Sequence, residues 1–388
     1  MLLGFKTKLK LNNQQRTQMA KHAGTARHAW NWGLGLTKQI LNNNRDNPED
    51  KIKFPSAIDL HKWLVAMVKP ENPWYYESSK CAPQFALRQL REAWAGAFKK
   101  ISKPPKFKKK RSNDSFTLDG TIKVVDHYKI KLPKIGVVKT YERLPYGYKP
   151  KSVTRCRRHL TFAKQRHWAQ MRPRCKADSW YISYKVEVGK SDTAKKVDRV
   201  GVDLGIKTLA YLSTGVSFAS SMPYKLYVKR LARLQWLNRN KQIGSNNWKK
   251  AQLKIAKLHQ KISNVRKDAL HKLTTYLAKN HSQIVIEDLN VSGMLKNRKL
   301  AKSIADMGFY EFRRQLEYKC QLYGSKLIVA DRFFASSKTC SNCGWYNRDL
   351  ELSDRWFICV GCGSFIERDW NASINLSRWS HCRTQACG

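Results

Sequence analysis

The chain has 388 residues, 42% hydrophobic and 11% aromatic, which suits two or three domains with cores of their own and excludes a wholly disordered protein. Its 75 Lys and Arg against 28 Asp and Glu leave a net charge of +47, a self-repelling excess that calls for a polyanionic partner, nucleic acid before all others. No apolar run approaches the ~18 residues of a membrane-spanning helix, and lysines break up the apolar start MLLGFKTKLKL, so neither a membrane segment nor a signal peptide is expected. The expected setting is the cytoplasm, with the ten cysteines reduced or bound to metal.

FKTKLKL alternates apolar and basic residues and predicts a first strand. From about Asn12 the pattern turns helical, and Trp30, Trp32, Trp63 and Trp94 are expected to fill a helical core. This region ends in KKISKPPKFKKKR, with eight basic residues between Lys99 and Arg111 and two prolines, read as a linker that contacts phosphate. Residues 112–190 look β-rich, and with the first strand they predict a small barrel that carries the helical segment as an insertion. Between Lys151 and Lys176 lie nine Lys and Arg and no acid, interleaved with His159, His167 and Trp168. That mixture suits RNA, whose phosphates are neutralised while unpaired bases stack.

After a polar linker, RVGVDLGIKTLAYLS reads as strand, turn, strand. Residues 225–272 carry fourteen Lys and Arg and one acid, Asp268. Leu231, Leu234, Leu237 and later Leu258, Ile262 and Val265 recur at helical spacing around a GSNN turn, which predicts a helical hairpin with a basic outer face. QIVIEDL follows as a buried strand, then a helix over 305–323, then KLIVADR as another strand. Strands alternating with helices predict an α/β layer with a substantially parallel sheet.

Cys340, Cys343, Cys359 and Cys362 form C-x2-C-x15-C-x2-C, two knuckles that bring four thiolates onto one zinc ion. Four cysteine ligands leave no coordination position for water, so this zinc is structural. Trp356, Phe357 and Phe365 are expected to pack so small a module, and Cys81, Cys156, Cys175 and Cys320 read as buried thiols.

Three carboxylates stand out. Asp203 interrupts the apolar run VGVDLGI, Glu287 closes IVIEDL at the end of a second such strand, and Asp369 opens DWNASINL just after the cysteine module. Singly, each has a plain reading as a turn or helix cap. Together, two acids on strands and one leading into a late helix are what an RNase H-like fold uses to hold two magnesium ions ~3.5–4 Å apart.

VGVDLGIKTLAYLS, the long basic helical stretch from Gly244, IVIEDLNVSGML, SSKTCSNCG and CVGCGSFIERDWNASINL together resemble the TnpB family, transposon-encoded RNA-guided endonucleases related to type V CRISPR effectors. The resemblance is close over 199–376 and looser before it. It implies a RuvC-type site at Asp203, Glu287 and Asp369 with two Mg2+, one structural Zn2+ on the four cysteines, and a guide RNA transcribed from the element's end that selects double-stranded DNA beside a short motif. It also implies a layout: a wedge barrel over 1–11 and 105–195, a recognition lobe over 12–104, a RuvC-like nuclease over 196–336 resuming at 365–388, and a zinc ribbon inserted at 337–364. SSKCAPQFALRQL resembles the family's motif-reading helix, where Lys80 and Gln84, four apart, share one face. A prokaryotic, nucleoid-associated monomer in complex with its RNA is the expected form. About twenty Arg- and His-rich residues between Ser152 and Trp180, a bulky Trp370 and a short tail depart from the family pattern. A miniature CRISPR effector, a transposase and a nuclease-silent RNA-guided binder use the same residue types and remain alternatives.

Overall fold

The computed structural model describes residues 2–110, 114–119, 122–144, 152–159, 176–189, 191, 193–351 and 353–379. The chain divides into two compact units, one of residues 2–188 with 241–256, the other of 189–240 with 257–388.

In the first unit, strand β1 (Leu2–Lys10) leads into α1 (Asn13–Asp46). Asn12 starts that helix through a capping box: its side chain accepts from the Gln15 amide at 2.7 Å while the Gln15 side chain accepts from the Asn12 amide. There follow α2 (Ala57–Trp63), a π-helical turn over Leu64–Val68, the single turn α3 (Lys69–Glu71), a 3-10 turn over Pro73–Glu77, and α4 (Cys81–Phe98). α1 and α4 bury Ala26, Ala29, Trp30 and Leu34 with Ala86, Leu87, Leu90 and Trp94 in one core.

Two of the four tryptophans behave otherwise than expected. Trp32 is half-buried and Trp63, at the last residue of α2, is 37% exposed, because the helix ends there in a π-turn whose buried residues are Leu64 and Val68. The basic segment after α4 is also less free than its composition suggests. Trp30 Nε1 donates to the Lys106 carbonyl at 3.1 Å, Asn31 bonds both backbone groups of Lys108, and Lys108 Nζ lies 3.5 Å over the Trp30 ring. Burial pulls that ammonium down to about 8, and its place over the Trp30 ring ties Lys108 to the fold.

The strands of this unit are β2 (Ser115–Leu118), β3 (Lys123–Asp126), β4 (Lys129–Leu132), β5 (Gly136–Thr140), β6 (Ser152–His159) and β7 (Lys176–Glu187). They pair antiparallel with β1 in the order β2-β6-β7-β1-β5-β4-β3. β1 joins the two halves, pairing β7 along Leu2–Lys8 and β5 at Leu9 and Lys10. Among the described residues β2 and β3 stand at the two ends of this pairing order, and both halves bury side chains in one core, among them Phe116, Leu118, Val124, Ile130 and Ile182. The basic, aromatic residues 160–175, with Cys175, and the tail with Cys382 and Cys387 lie outside the described residues, as do the side chains of 152–159.

The second unit is built on β8 (Val197–Asp203), β9 (Thr208–Leu212), β10 (Ser217–Ala219), β11 (His281–Glu287) and β12 (Lys326–Ala330), in the order β10-β9-β8-β11-β12. β8, β9 and β10 form an antiparallel meander; β11 runs parallel to both β8 and β12. The helices are α5 (Pro223–Trp236), α6 (Asn246–Asn280, of which 246–256 fall in the first unit), α7 (Val291–Met294), α8 (Ala301–Met307), α9 (Phe309–Tyr323) and α10 (Arg368–Arg378). The single helix expected over 305–323 is two, broken at Gly308 with φ +74°. Of the expected hairpin seam, Leu231, Leu258 and Ile262 are buried while Leu237, at the C-cap of α5, is 48% exposed. Between β12 and α10 sits a small module with the hairpin β13 (Trp356–Ile358) and β14 (Phe365–Glu367).

Among the described residues, no helix is long and apolar enough to cross a membrane.

Candidate functional site

β8 and β11 are neighbouring parallel strands in register Val202↔Ile286, so the next residue of each, Asp203 and Glu287, emerges at the same carboxyl end. That is where open α/β sheets place ligand sites. The third acid, Asp369, stands in the first turn of α10, whose contact with β8 is set by Gly201. A Cβ on Gly201 would lie 2.0 Å from the Ser373 carbonyl oxygen and 2.4 Å from the Ser377 nitrogen, so only a residue without a side chain lets α10 lie against the strand. The structure therefore brings Asp203 and Glu287 to the same end of one sheet, with Asp369 beside them on the helix packed there.

The electrostatics there are strained. Burial, then the neighbouring charges of Glu287 and Asp369, push the Asp203 carboxyl well above the ordinary carboxylate range, against the opposing pull of Arg368 and the Leu204 amide. Burial likewise raises Glu287, and only the Ser336 hydroxyl, which donates to its Oε1, pulls it back. Asp369 accepts from Arg368 at 2.9 Å and lies 3.7 Å from Arg355. Three carboxylates held close without enough compensating cations are what a divalent metal site looks like to its own ligands. The donors are hard oxygens, a set that fits Mg2+ and not a soft metal.

Ser336 was not among the candidates read from the sequence, and it ties three parts together. Its carbonyl accepts from the Asn375 side chain at 2.8 Å, and Asn375 also reaches the Thr339 carbonyl at 2.6 Å. One turn earlier, Asn371 bonds the Thr339 carbonyl at 2.7 Å and the Ser341 amide at 2.8 Å. Both asparagines are buried, spaced i and i+4 on α10. The helix that carries Asp369 thus also fixes the loop whose serine orients Glu287. The motif SSKTCSNCG contains that serine, yet nothing in its spacing marks it.

Asp288, next to Glu287, is engaged elsewhere: Arg313 at 2.6 Å and Arg332 hold its carboxyl below the usual range. It is a poor cation ligand for that reason.

The four cysteines converge as the spacing requires. Cys340 and Cys362 have Sγ atoms 3.8 Å apart, Cys343 and Cys359 3.4 Å, and all four sulfurs lie within 4.8 Å of one another. Among the described residues no other set of three or more such ligands converges so tightly; the carboxylates are spread more widely. Each knuckle closes the same way, with Gly344 N donating to Cys340 O and Gly363 N to Cys359 O, both glycines at positive φ. Ser364, by hydroxyl and amide, draws the Cys362 thiol down to about 6, a thiolate at neutral pH and a ready first ligand. Phe357 is fully buried with Leu350, Cys340 and Cys359, as expected, whereas Trp356 and Phe365 stack on each other at the surface, 52% and 63% exposed. Strand alternation explains it: Trp356 and Phe357 point to opposite faces of a two-stranded hairpin. Cys320 is a buried thiol, pushed up to about 11; Cys81 is only half-buried.

Lys80 and Gln84 belong to the other unit, at the start of α4, both exposed on a stripe that Arg88 continues one turn on. The structure places them on one face, as their spacing implies, and Arg88 is an addition to that face.

Three family models match the chain: OrfB_IS605, described as "Probable transposase", over residues 182–298; "Cas12f1-like, TNB domain" over 309–376; and "Helix-turn-helix domain" over 1–46. The last span is here one strand and one unbroken helix. "Putative RNA-guided DNA endonuclease InsQ" of Escherichia coli K12 is 32% identical over 405 aligned residues, covering 100% of this chain and 94% of the relative. A protein described as "Putative RNA-guided DNA endonuclease" from Streptomyces pristinaespiralis is 32% identical over 378, covering 96% and 88%. Among solved structures, a chain of the "Cryo-EM structure of the Cas12f1-sgRNA-target DNA complex" superposes with a TM-score of 0.50 at 14% identity, covering 97% of this chain and 98% of that one, a likeness of fold. With identity of this level sustained along the whole chain, and with the acids and cysteines of its motifs in place, this protein belongs to the TnpB (OrfB_IS605) family.

Proposed function

We propose that the protein is an RNA-guided DNA endonuclease of a transposable element, directed by an RNA transcribed from the element's end to cut DNA beside a short motif. The observation that carries this reading is the meeting of Asp203, Glu287 and Asp369 at the carboxyl ends of two adjacent parallel strands and the first turn of the helix packed on them. A three-strand meander followed by two parallel strands, with a carboxylate on its first and fourth strands, supports an RNase H-like (RuvC) assignment for the second unit. The first unit, a strand, a helical insertion and the rest of an antiparallel sheet, supports the wedge and recognition roles, with Lys80 and Gln84 facing the DNA motif.

In this reading Asp203, Glu287 and Asp369 hold two Mg2+ ions, which supply water activation and charge neutralisation on the scissile phosphodiester. Ser336 favours the ionised form of Glu287 and aims it, and Arg368 and Arg355 lie beside Asp369. Gly201 holds the helix at the distance that lets the third acid join the other two. The cysteine quartet takes one Zn2+ and stabilises the module inserted before α10. The charge of +47 supplies the sequence-independent grip on guide and target, while base pairing supplies sequence. The complex is a monomer on its RNA, in the prokaryotic cytoplasm.

The test is to express the chain with its native flanking DNA and sequence the RNA that co-purifies, then assay cleavage with and without Mg2+ beside Asp203→Ala. One discrete RNA with a variable 3′ segment, and cleavage lost in the variant, are expected. Heterogeneous RNA, or cleavage that survives in Asp203→Ala, refutes the proposal.

A further inference from the structure

In the first unit, one face of α1 and the 3-10 turn Pro73–Glu77 line an open cleft of about 690 Å³, with Lys21, Gly24, Arg27, His28, Trp32 and Trp74 among its residues. The α1 residues 21, 24, 28 and 32 fall at helical spacing on a single face. The volume lies in the range of sites that enclose a small planar molecule.

Trp74 is the prominent group. It is 39% exposed, stacked on buried Tyr75 with ring centres 4.4 Å apart, edge-on to His28 at 5.2 Å, and its Nε1 donates to Asn72 at 3.1 Å. Tyr75 is itself pinned by a 2.8 Å hydrogen bond with His28 Nδ1. The indole is therefore a fixed surface whose ordering cost is met by the fold and not by a ligand. Lys21 and Arg27 stand beside it, each already paired with a carboxylate, Glu77 and Asp114. Burial, and then the Arg27 charge, hold the His28 imidazole below its ordinary value. A rigid half-exposed indole in a cleft that Lys21 and Arg27 also line suits a flat ring attached to phosphate.

A single exposed aromatic is ordinary. Gly24 makes this one otherwise. Glycine inside a helix costs about 1 kcal/mol relative to alanine. Packing does not require it here, since an added Cβ would meet only Arg27 Nη2, at 3.8 Å. What a side chain at this position would occupy is the cleft.

We propose that this cleft takes one unstacked nucleobase of a bound nucleic-acid strand, stacked on Trp74, with the adjoining phosphates beside Lys21 and Arg27. This rests on the reading that the chain binds RNA and DNA. The same site serves either a guide-RNA nucleotide or a base of opened target DNA, and the two are told apart by experiment.

The full chain is irradiated with a 5-bromouridine RNA oligonucleotide in one arm and a 5-bromodeoxyuridine DNA oligonucleotide in the other, and crosslinked peptides are mapped. Crosslinking at the Trp74 peptide in one arm, abolished by Gly24→Leu without a lower melting temperature, is expected; the arm identifies the strand. Trp74→Ala should weaken binding of that oligonucleotide about ten-fold, the loss of one stacked base, with recovery in Trp74→Phe. Crosslinks confined to other peptides in both arms, undiminished labelling in Gly24→Leu, or equal affinity in Trp74→Ala would overturn the proposal. If the wild-type chain bound neither oligonucleotide, the nucleic-acid reading itself would fall with it; normal binding with no labelling at Trp74 would remove the cleft alone.

Discussion

Replacing Gly201 by alanine tests how the site is assembled. The new methyl would lie 2.0 Å from the Ser373 oxygen, 2.4 Å from the Ser377 nitrogen and 3.0 Å from the Leu376 carbonyl carbon, all backbone atoms of α10 that no rotamer change can move. Ordinary contact needs ~3.5 Å or more, so the helix must retreat from β8 by more than about 1 Å. Overpacking of this kind costs about 1–3 kcal/mol, which in a domain of this size lowers the melting temperature by about 2–12 °C. The effect on chemistry should be larger than the effect on stability. Asp369 rides in the first turn of α10, and a displacement of about 1 Å in a catalytic group costs on the order of 100-fold. The assay is guided DNA cleavage at saturating RNA, beside thermal unfolding and zinc content. Gly35→Ala is the control, since its Cβ meets nothing within 4 Å and it sits in α1, where alanine should be neutral or stabilising by about 1 kcal/mol. If Gly201→Ala cleaved at the wild-type rate, α10 would not be the element that sets the position of the third acid.

Three further outcomes follow from the site. Asp203→Asn should raise the melting temperature of metal-free protein by a few degrees at neutral pH while abolishing cleavage, because the raised carboxyl favours folding when protonated: the metal-free wild type loses stability as pH rises above the ordinary carboxylate range, and the amide removes that slope; equal melting curves at pH 7 would refute it. Ser336→Ala should lift Glu287 further, moving the acidic limb of the pH–rate profile to higher pH with partial recovery of rate in alkali; a profile lowered without shifting would make Ser336 a packing residue only. Cys343→Ser should abolish binding of one zinc per chain and lower the melting temperature, with Phe357 losing its buried setting; full zinc occupancy in that variant would exclude the four-cysteine site.

The sequence by itself determined much of the local structure and most of the chemistry. The strand of FKTKLKL, the helix from Asn12 and the strands ending at Asp203 and Glu287 are legible because apolar period and capping residues are properties of a few neighbouring positions. The acids stand out as charges in apolar runs, and the cysteines because a knuckle is local, its turn closed within five residues by a glycine. What only the tertiary structure decided is what depends on partners far along the chain. Lys108 looks like one more basic residue in a linker until Trp30, 78 positions earlier, lies beneath it. Trp63 and Phe365 read as core from their type, but burial depends on which face a neighbouring element covers. Gly201, Ser336, Asn371 and Asn375 carry no signal of their own, because a glycine's close approach and an amide's hydrogen bonds exist only once α10 lies against β8 and draws the loop between Ser336 and Ser341 onto itself.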